Sequence, residues 1–162
     1  MIKKLFSFPN PVNEHSARMV AGGVLIMSLS YVITGYFVIL VVLTYGFWAR
    51  VLTGPTLSPL GQFVTRVLAP LLAKKVKPQF CPGPPKRFAQ GIGAFMTTTA
   101  VIAVVFGDSV LASRFIVGAI VVASSLESIL GFCIGCWIFS KLMSWGIIPE
   151  SVCEKCVNYR NA

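Results

Sequence analysis

Between Met19 and Ala49 the chain runs for 31 residues without a charge. As one helix that run extends about 46 Å, against a hydrocarbon core of about 30 Å. A hairpin of two short spans fits better. A break near Thr34-Gly35 gives helices over residues 16–33 and 36–50, the first entered through a cap at Asn10-Pro11 or Asn13.

The pattern changes between Arg50 and Arg87. Loop signals stand at both ends, Gly54-Pro55 and Pro82-Gly-Pro-Pro85. Between them Leu60, Phe63, Val64, Val67, Leu68, Leu71 and Leu72 recur at helical spacing, with Ser58 as cap and Pro59 in the first position. This reads as an amphipathic helix over 58–75, bent at Pro70 and lying in a membrane interface; packing on the transmembrane bundle is the alternative.

A third apolar run covers 88–106, entered through Lys86-Arg87, and Gly107-Asp108-Ser109 makes a turn. From Val110 to Trp145 the chain is again too long for one span. A fourth helix over 110–134 and a lateral amphiphilic stretch carrying Trp137, Lys141 and Trp145 account for it, followed by a cysteine-containing tail over 146–162.

Composition explains why these runs need lipid. Hydrophobic residues make up 56% of the chain and charged ones 12%, more apolar surface than a soluble domain of 162 residues can cover. The expected fold is therefore an all-α membrane protein, a single multi-pass domain of four short transmembrane helices plus the interfacial helix. The net charge of +9 marks membrane flanks rather than nucleic acid, since no run resembles a nucleic-acid-binding fold. Four spans put 13 of the 14 Lys and Arg residues on one side, Arg114 excepted; three spans would scatter them. The positive-inside rule then places both termini and the long loop in the cytoplasm, against anionic lipids. Phe8 to Glu14 separates Lys3-Lys4 from the first apolar run, which argues against a cleaved signal peptide.

Cys133/Cys136 and Cys153/Cys156 form two C-x-x-C pairs with sixteen residues between them. That spacing suits a four-thiolate zinc or iron site. A turn at Gly146 to Pro149 would let the pairs meet. The rival chemistry is thiol–disulfide exchange between the pairs or with a thioredoxin-like partner, because C-x-x-C favours a reversible disulfide. A reducing cytoplasm disfavours a permanent staple. The plainer reading makes Cys133 and Cys136 small buried helix residues. Cys81 reads as a bystander, and Gly131 and Gly135 as a G-x-x-x-G pair that allows close packing or, alternatively, gives the thiolates room for an ion or a partner thiol.

Glu127 is the only acidic residue well inside an apolar run, which makes it a functional candidate. Lys86 or Arg87 would be its ion-pair partner, with Ser124 and Ser128 as alternative hydrogen-bonding neighbours. On a regular helix Cys133 lies about 240° round from Glu127, so the two meet only if the helix breaks near Gly131. His15 is the single histidine, and no catalytic triad, paired carboxylates or phosphate loop appears; hydrolase and phosphotransferase chemistry is not expected.

Val12-Asn13-Glu14 with Arg18 and Gly22, Gly54-Pro55 with Ser58-Pro59, Pro85-Lys86-Arg87-Phe88-Ala89, and Glu127 followed by Gly131-Phe132-Cys133-Ile134-Gly135-Cys136 stand in one order along the chain. In this it resembles the bacterial domain-of-unknown-function family 4395, from about Asn10 to Cys156. The resemblance implies a multi-pass protein of the bacterial inner membrane and brings no activity with it. The leading expectation is a cytoplasmic-face site of Cys133, Cys136, Cys153 and Cys156, with Glu127 beside it, serving metal binding or dithiol redox transfer. The alternatives are an accessory subunit of a larger membrane complex and, less favoured, a conduit for a small ion or sulfur compound.

Overall fold

The computed structural model of the protein describes residues 10–73, 80–107, 109–149 and 152. A short strand, β1 (Val12–Asn13), leads into α1 (Glu14–Thr34). Asn13 caps that helix by accepting the His15 amide proton at 3.0 Å, and Glu14 places negative charge in the first turn. The helix stops at Gly35, whose φ of 72° suits glycine and whose amide donates to the Tyr31 carbonyl. The return helix is α2 (Phe37–Thr53).

Ser58 caps α3 (Pro59–Phe63), which passes into a π-helical stretch, Val64–Leu68, and then α4 (Ala69–Ala73). Pro70 has no amide proton to give and its ring crowds the carbonyl one turn back. The disturbance expected there takes the form of a widened turn just upstream, in which the Ala69 amide donates to the Val64 carbonyl. Lys74 and Lys75, the end of the expected 58–75 helix, lie outside the described residues.

Strand β2 (Phe80–Cys81) pairs antiparallel with β1, Val12 opposite Cys81 and Asn13 opposite Phe80. This clip departs from a purely helical expectation and ties the N-terminal segment to the start of α5 (Gly83–Val105). That helix begins at Gly83 rather than Phe88. Prolines in a first turn forfeit only amide protons that have no helical partner, so Pro84 and Pro85 start the helix instead of preventing it.

Ser109 caps α6 (Val110–Ser125), which runs on as a second π-helical stretch, Leu126–Leu130. The expected continuation to residue 134 is corrected by a break at Gly131, φ 72°, where the left-handed backbone ends the helix. Helix α7 (Ile134–Ser144) then starts afresh with Cys133 as its cap.

Helices α1, α2, α5 and α6 close a ring: α1 packs on α2 and α6, and α5 packs on α2 and α6. The centre holds Val24, Tyr31, Leu40, Leu43, Phe47, Ala94, Val117 and Ile120. Polar side chains are also inside, with Ser28, Thr97 and Ser113 fully buried and Tyr31 Oη within 2.5 Å of Ser113 Oγ. The outside is apolar: Val38, Phe95 and Phe115 each expose more than 70% of their surface. Soluble monomers rarely present such patches contiguously. Three helices, Glu14–Thr34, Gly83–Val105 and Val110–Leu130, are long and apolar enough to cross a membrane, and Phe37–Thr53 and Ile134–Ser144 are shorter apolar helices.

Candidate functional site

The break at Gly131 turns the chain so that Cys133 closes the N-terminus of α7. Its side chain accepts the Cys136 amide proton at 3.3 Å, the bond an N-cap serine would make. The two thiols are half-buried and not joined in a disulfide. The Cys136 thiol, hydrogen-bonded to Cys133, holds the Cys133 thiol below the ordinary range; the same bond, helped by burial, pushes Cys136 far above it. Of the two sulfurs, Cys133 therefore gives up its proton more readily than Cys136.

The sulfurs open on a cavity of about 280 Å³ whose walls include Glu14, Cys81, Lys86, Phe132, Trp137 and Ser140. Cys81, set aside in the sequence, is brought here by the β1–β2 clip, where its thiol contacts the Val12 carbonyl at 3.5 Å. Burial pushes that thiol up. Nothing in the pattern Phe80-Cys81-Pro82 signalled it, because the placement depends on a strand pairing across 69 residues.

Lys86, in the first turns of α5, donates to Glu127 at 2.6 Å, and the side chains are only 10% and 15% exposed. Of the two cations the sequence offered Glu127, the geometry selects Lys86; Arg87 instead donates to the Val51 carbonyl at 2.9 Å. Ser124 bonds within its own helix, to Ile120. Because the helix breaks at Gly131, Glu127 and Cys133 line one further cavity of about 280 Å³ between α1, α2, α5 and α6. Cys153 and Cys156 lie outside the described residues. Among the described residues no group of three or more His, Cys, Asp or Glu side chains gathers as metal ligands.

The model of the family described as "Domain of unknown function (DUF4395)" matches residues 12–144. The chain belongs to this family. No curated protein and no solved structure matches it.

The fold gives the DUF4395 resemblance a spatial meaning, since the residues quoted for it meet at one end of the bundle. Arg18 donates to the Ser128 and Ile129 carbonyls, the latter at 2.7 Å, and so satisfies acceptors left open by the break at Gly131. Gly22 lets Ser128 approach, since a β-carbon there would stand 3.1 Å from its Oγ. Gly61 sits against the Pro55 backbone, and Gly135 against Ala89. Glycines, cation and carboxylate together hold the two cysteines against the start of α5.

Proposed function

We propose that this DUF4395 protein is a bacterial inner-membrane protein that crosses the bilayer four times and carries out thiol–disulfide exchange through Cys133 and Cys136. The observation that carries the chemistry is Cys133 at the cap of α7, taking the Cys136 amide proton beside Lys86 in an open cavity. A capping thiolate gains from the amide, from the helix dipole and from the nearby ammonium group. Cys133 attacks one sulfur of a disulfide on a thioredoxin-like protein, and the other partner sulfur leaves as thiolate. Cys136 then passes its proton to the first departed partner thiolate and attacks the Cys133 sulfur, which closes the Cys133–Cys136 disulfide and releases the second partner sulfur as thiolate. Two electrons pass from the dithiol to the partner, and a second, reduced dithiol protein returns two electrons to the Cys133–Cys136 disulfide by the reverse sequence.

The ring of helices supports the fourth crossing. At 17 residues α2 is short but within the range that spans a bilayer, about 25 Å when regular. With both ends of the chain on the cationic face, the thiols meet the cytoplasm and its anionic lipids.

Thiol counting on detergent-purified protein, poised in a series of thiol/disulfide buffers, tests this. Two thiols should disappear together as the buffer becomes oxidising, and neither Cys133→Ser nor Cys136→Ser should show that step. An unchanged thiol count throughout rejects exchange. Elemental analysis of the same samples separates the remaining alternative: about one zinc or iron per chain, lost in Cys153→Ser and Cys156→Ser, would instead identify a four-thiolate centre. Reporter fusions at residues 75 and 160 in opposite compartments would reject the four-span arrangement.

A further inference from the structure

A third cavity, of about 200 Å³, shares Lys86 with the thiol cavity and is lined by Arg50, Lys86, Glu127, Asn13, Ser16 and Thr65 among others. Arg50 is 5% exposed. Gly46, one turn earlier, leaves room for the guanidinium, since a β-carbon there would stand 3.3 Å from Nη1, and the Phe47 ring lies 4.8 Å from the guanidinium carbon. Nε donates to Gln90 Oε1 at 2.8 Å and Nη1 to Ser58 Oγ at 3.3 Å. Ser58 Oγ already accepts the Gly61 amide proton. Nη2 has no partner among the described residues.

The charges on this cavity do not balance. Arg50 and Lys86 contribute two positive charges and Glu127 one negative charge, already engaged by Lys86 at 2.6 Å, so among the described residues one buried positive charge is left over. A buried charge without a counter-ion costs several kcal/mol, and an arginine fork matches the oxygens of phosphate-like groups in shape and charge. The volume is below the roughly 300–1,000 Å³ of pockets for drug-sized ligands, and suits a group of a few heavy atoms. From the unpaired guanidinium, the charge imbalance and the size we infer that this cavity binds a tetrahedral oxyanion, with Arg50 as its principal ligand and Lys86 shared between the anion and Glu127. The anion is either free phosphate or sulfate, or the phosphate of a lipid headgroup entering from the membrane face. The anion site shares Lys86 with the thiol cavity but does not require thiol exchange to occur.

The test uses the full chain in detergent, stripped of lipid, titrated calorimetrically with inorganic phosphate and with sulfate, while phosphorus assay and native mass spectrometry count phospholipid retained before stripping. Saturable binding of about one inorganic anion per chain, weakened at least about tenfold by Arg50→Gln, supports a free anion. One phospholipid retained by the wild-type protein and lost from Arg50→Gln supports the headgroup. If the wild-type protein binds no inorganic anion and retains no phospholipid, the inference fails. It fails equally if Arg50→Gln binds as the wild type does. Should that variant not fold, Thr65→Trp at the exposed rim takes its place and must weaken binding by obstruction; unchanged binding then overturns the inference.

Discussion

Gly135 rests directly on Ala89: a β-carbon at position 135 would stand 2.5 Å from Ala89 Cβ and 2.6 Å from its Cα. The second residue of α7 is thereby pressed onto the first half of α5, and with it the cysteine on either side. Gly135→Ala should therefore push α7 away and lower stability by about 1–3 kcal/mol, the usual cost of overpacking. Gly118 provides the contrast, since nothing stands within 4 Å of its added β-carbon. Gly118→Ala should be neutral or stabilising by about 0.5–1 kcal/mol, because it only relieves a helical glycine. Thermal unfolding in one detergent compares them, and equal effects would show that α7 is not held by this contact.

The hydrogen bond between the thiols makes their pH behaviour opposite. Cys133 lies below the ordinary thiol range and Cys136 above it. Alkylation of Cys133 should stay fast as pH falls past the point where an ordinary thiol slows, because its thiolate persists there. Cys136→Ala removes the thiol that lowers Cys133, so Cys133 should then titrate higher and react more slowly near neutrality. Mass spectrometry of alkylated peptides across a pH series reads both sites. Identical profiles at the two positions would remove the assignment of nucleophile and resolving thiol.

Much of this arrangement was legible from charge and hydropathy. A carboxylate at position 127 within an apolar run demands a nearby cation, and the basic residues opening the preceding helix, α5, narrow the choice to Lys86 or Arg87. The reversal at Gly35 follows from a 31-residue uncharged run too long for one crossing. What escaped depends on tertiary geometry or on ambiguous residues. Pro84 and Pro85 read equally well as loop and as a helix start, so the apolar pattern alone places the start of α5 too late. The sequence offers Gly131 as a packing glycine, as room for the thiolates, or as the break that Glu127 needs to meet Cys133; its positive φ makes it the break, which ends α6 and creates the cap at Cys133. Arg50, placed at a span end by its position, turned inward because Gly46 and Phe47 make a berth that no linear pattern displays.

Arg18 links the ends of two helices by donating to the Ser128 and Ile129 carbonyls. Those acceptors belong to the π-helical stretch before Gly131, where regular helical partners are missing. Arg18→Ala should remove these hydrogen bonds and lower stability by about 0.5–1.5 kcal/mol. The same change should loosen the approach to α7 and narrow the reactivity gap between Cys133 and Cys136. Unfolding and alkylation measured on one preparation check both effects. A stability loss with the gap intact would show that Arg18 supports the bundle without positioning the cysteines.

Lys86 and Glu127 allow structure and chemistry to be separated by sign. Either single substitution, Lys86→Met or Glu127→Gln, breaks a pair that is only 10% and 15% exposed, and should cost about 3 kcal/mol of stability. Lys86→Met combined with Glu127→Gln removes both charges and should recover part of that loss, which a double-mutant cycle measures. Their effects on Cys133 run in opposite directions. The Lys86 ammonium lowers the Cys133 thiol and the Glu127 carboxylate raises it. Lys86→Met should therefore raise that thiol and slow its alkylation near neutral pH, whereas Glu127→Gln should lower it and speed the reaction. Two variants destabilised alike but displaced in opposite directions on the rate axis are what a charged pair beside a reactive sulfur requires. Parallel slowing in both would mean that the substitutions act on Cys133 only through the loosening of the fold.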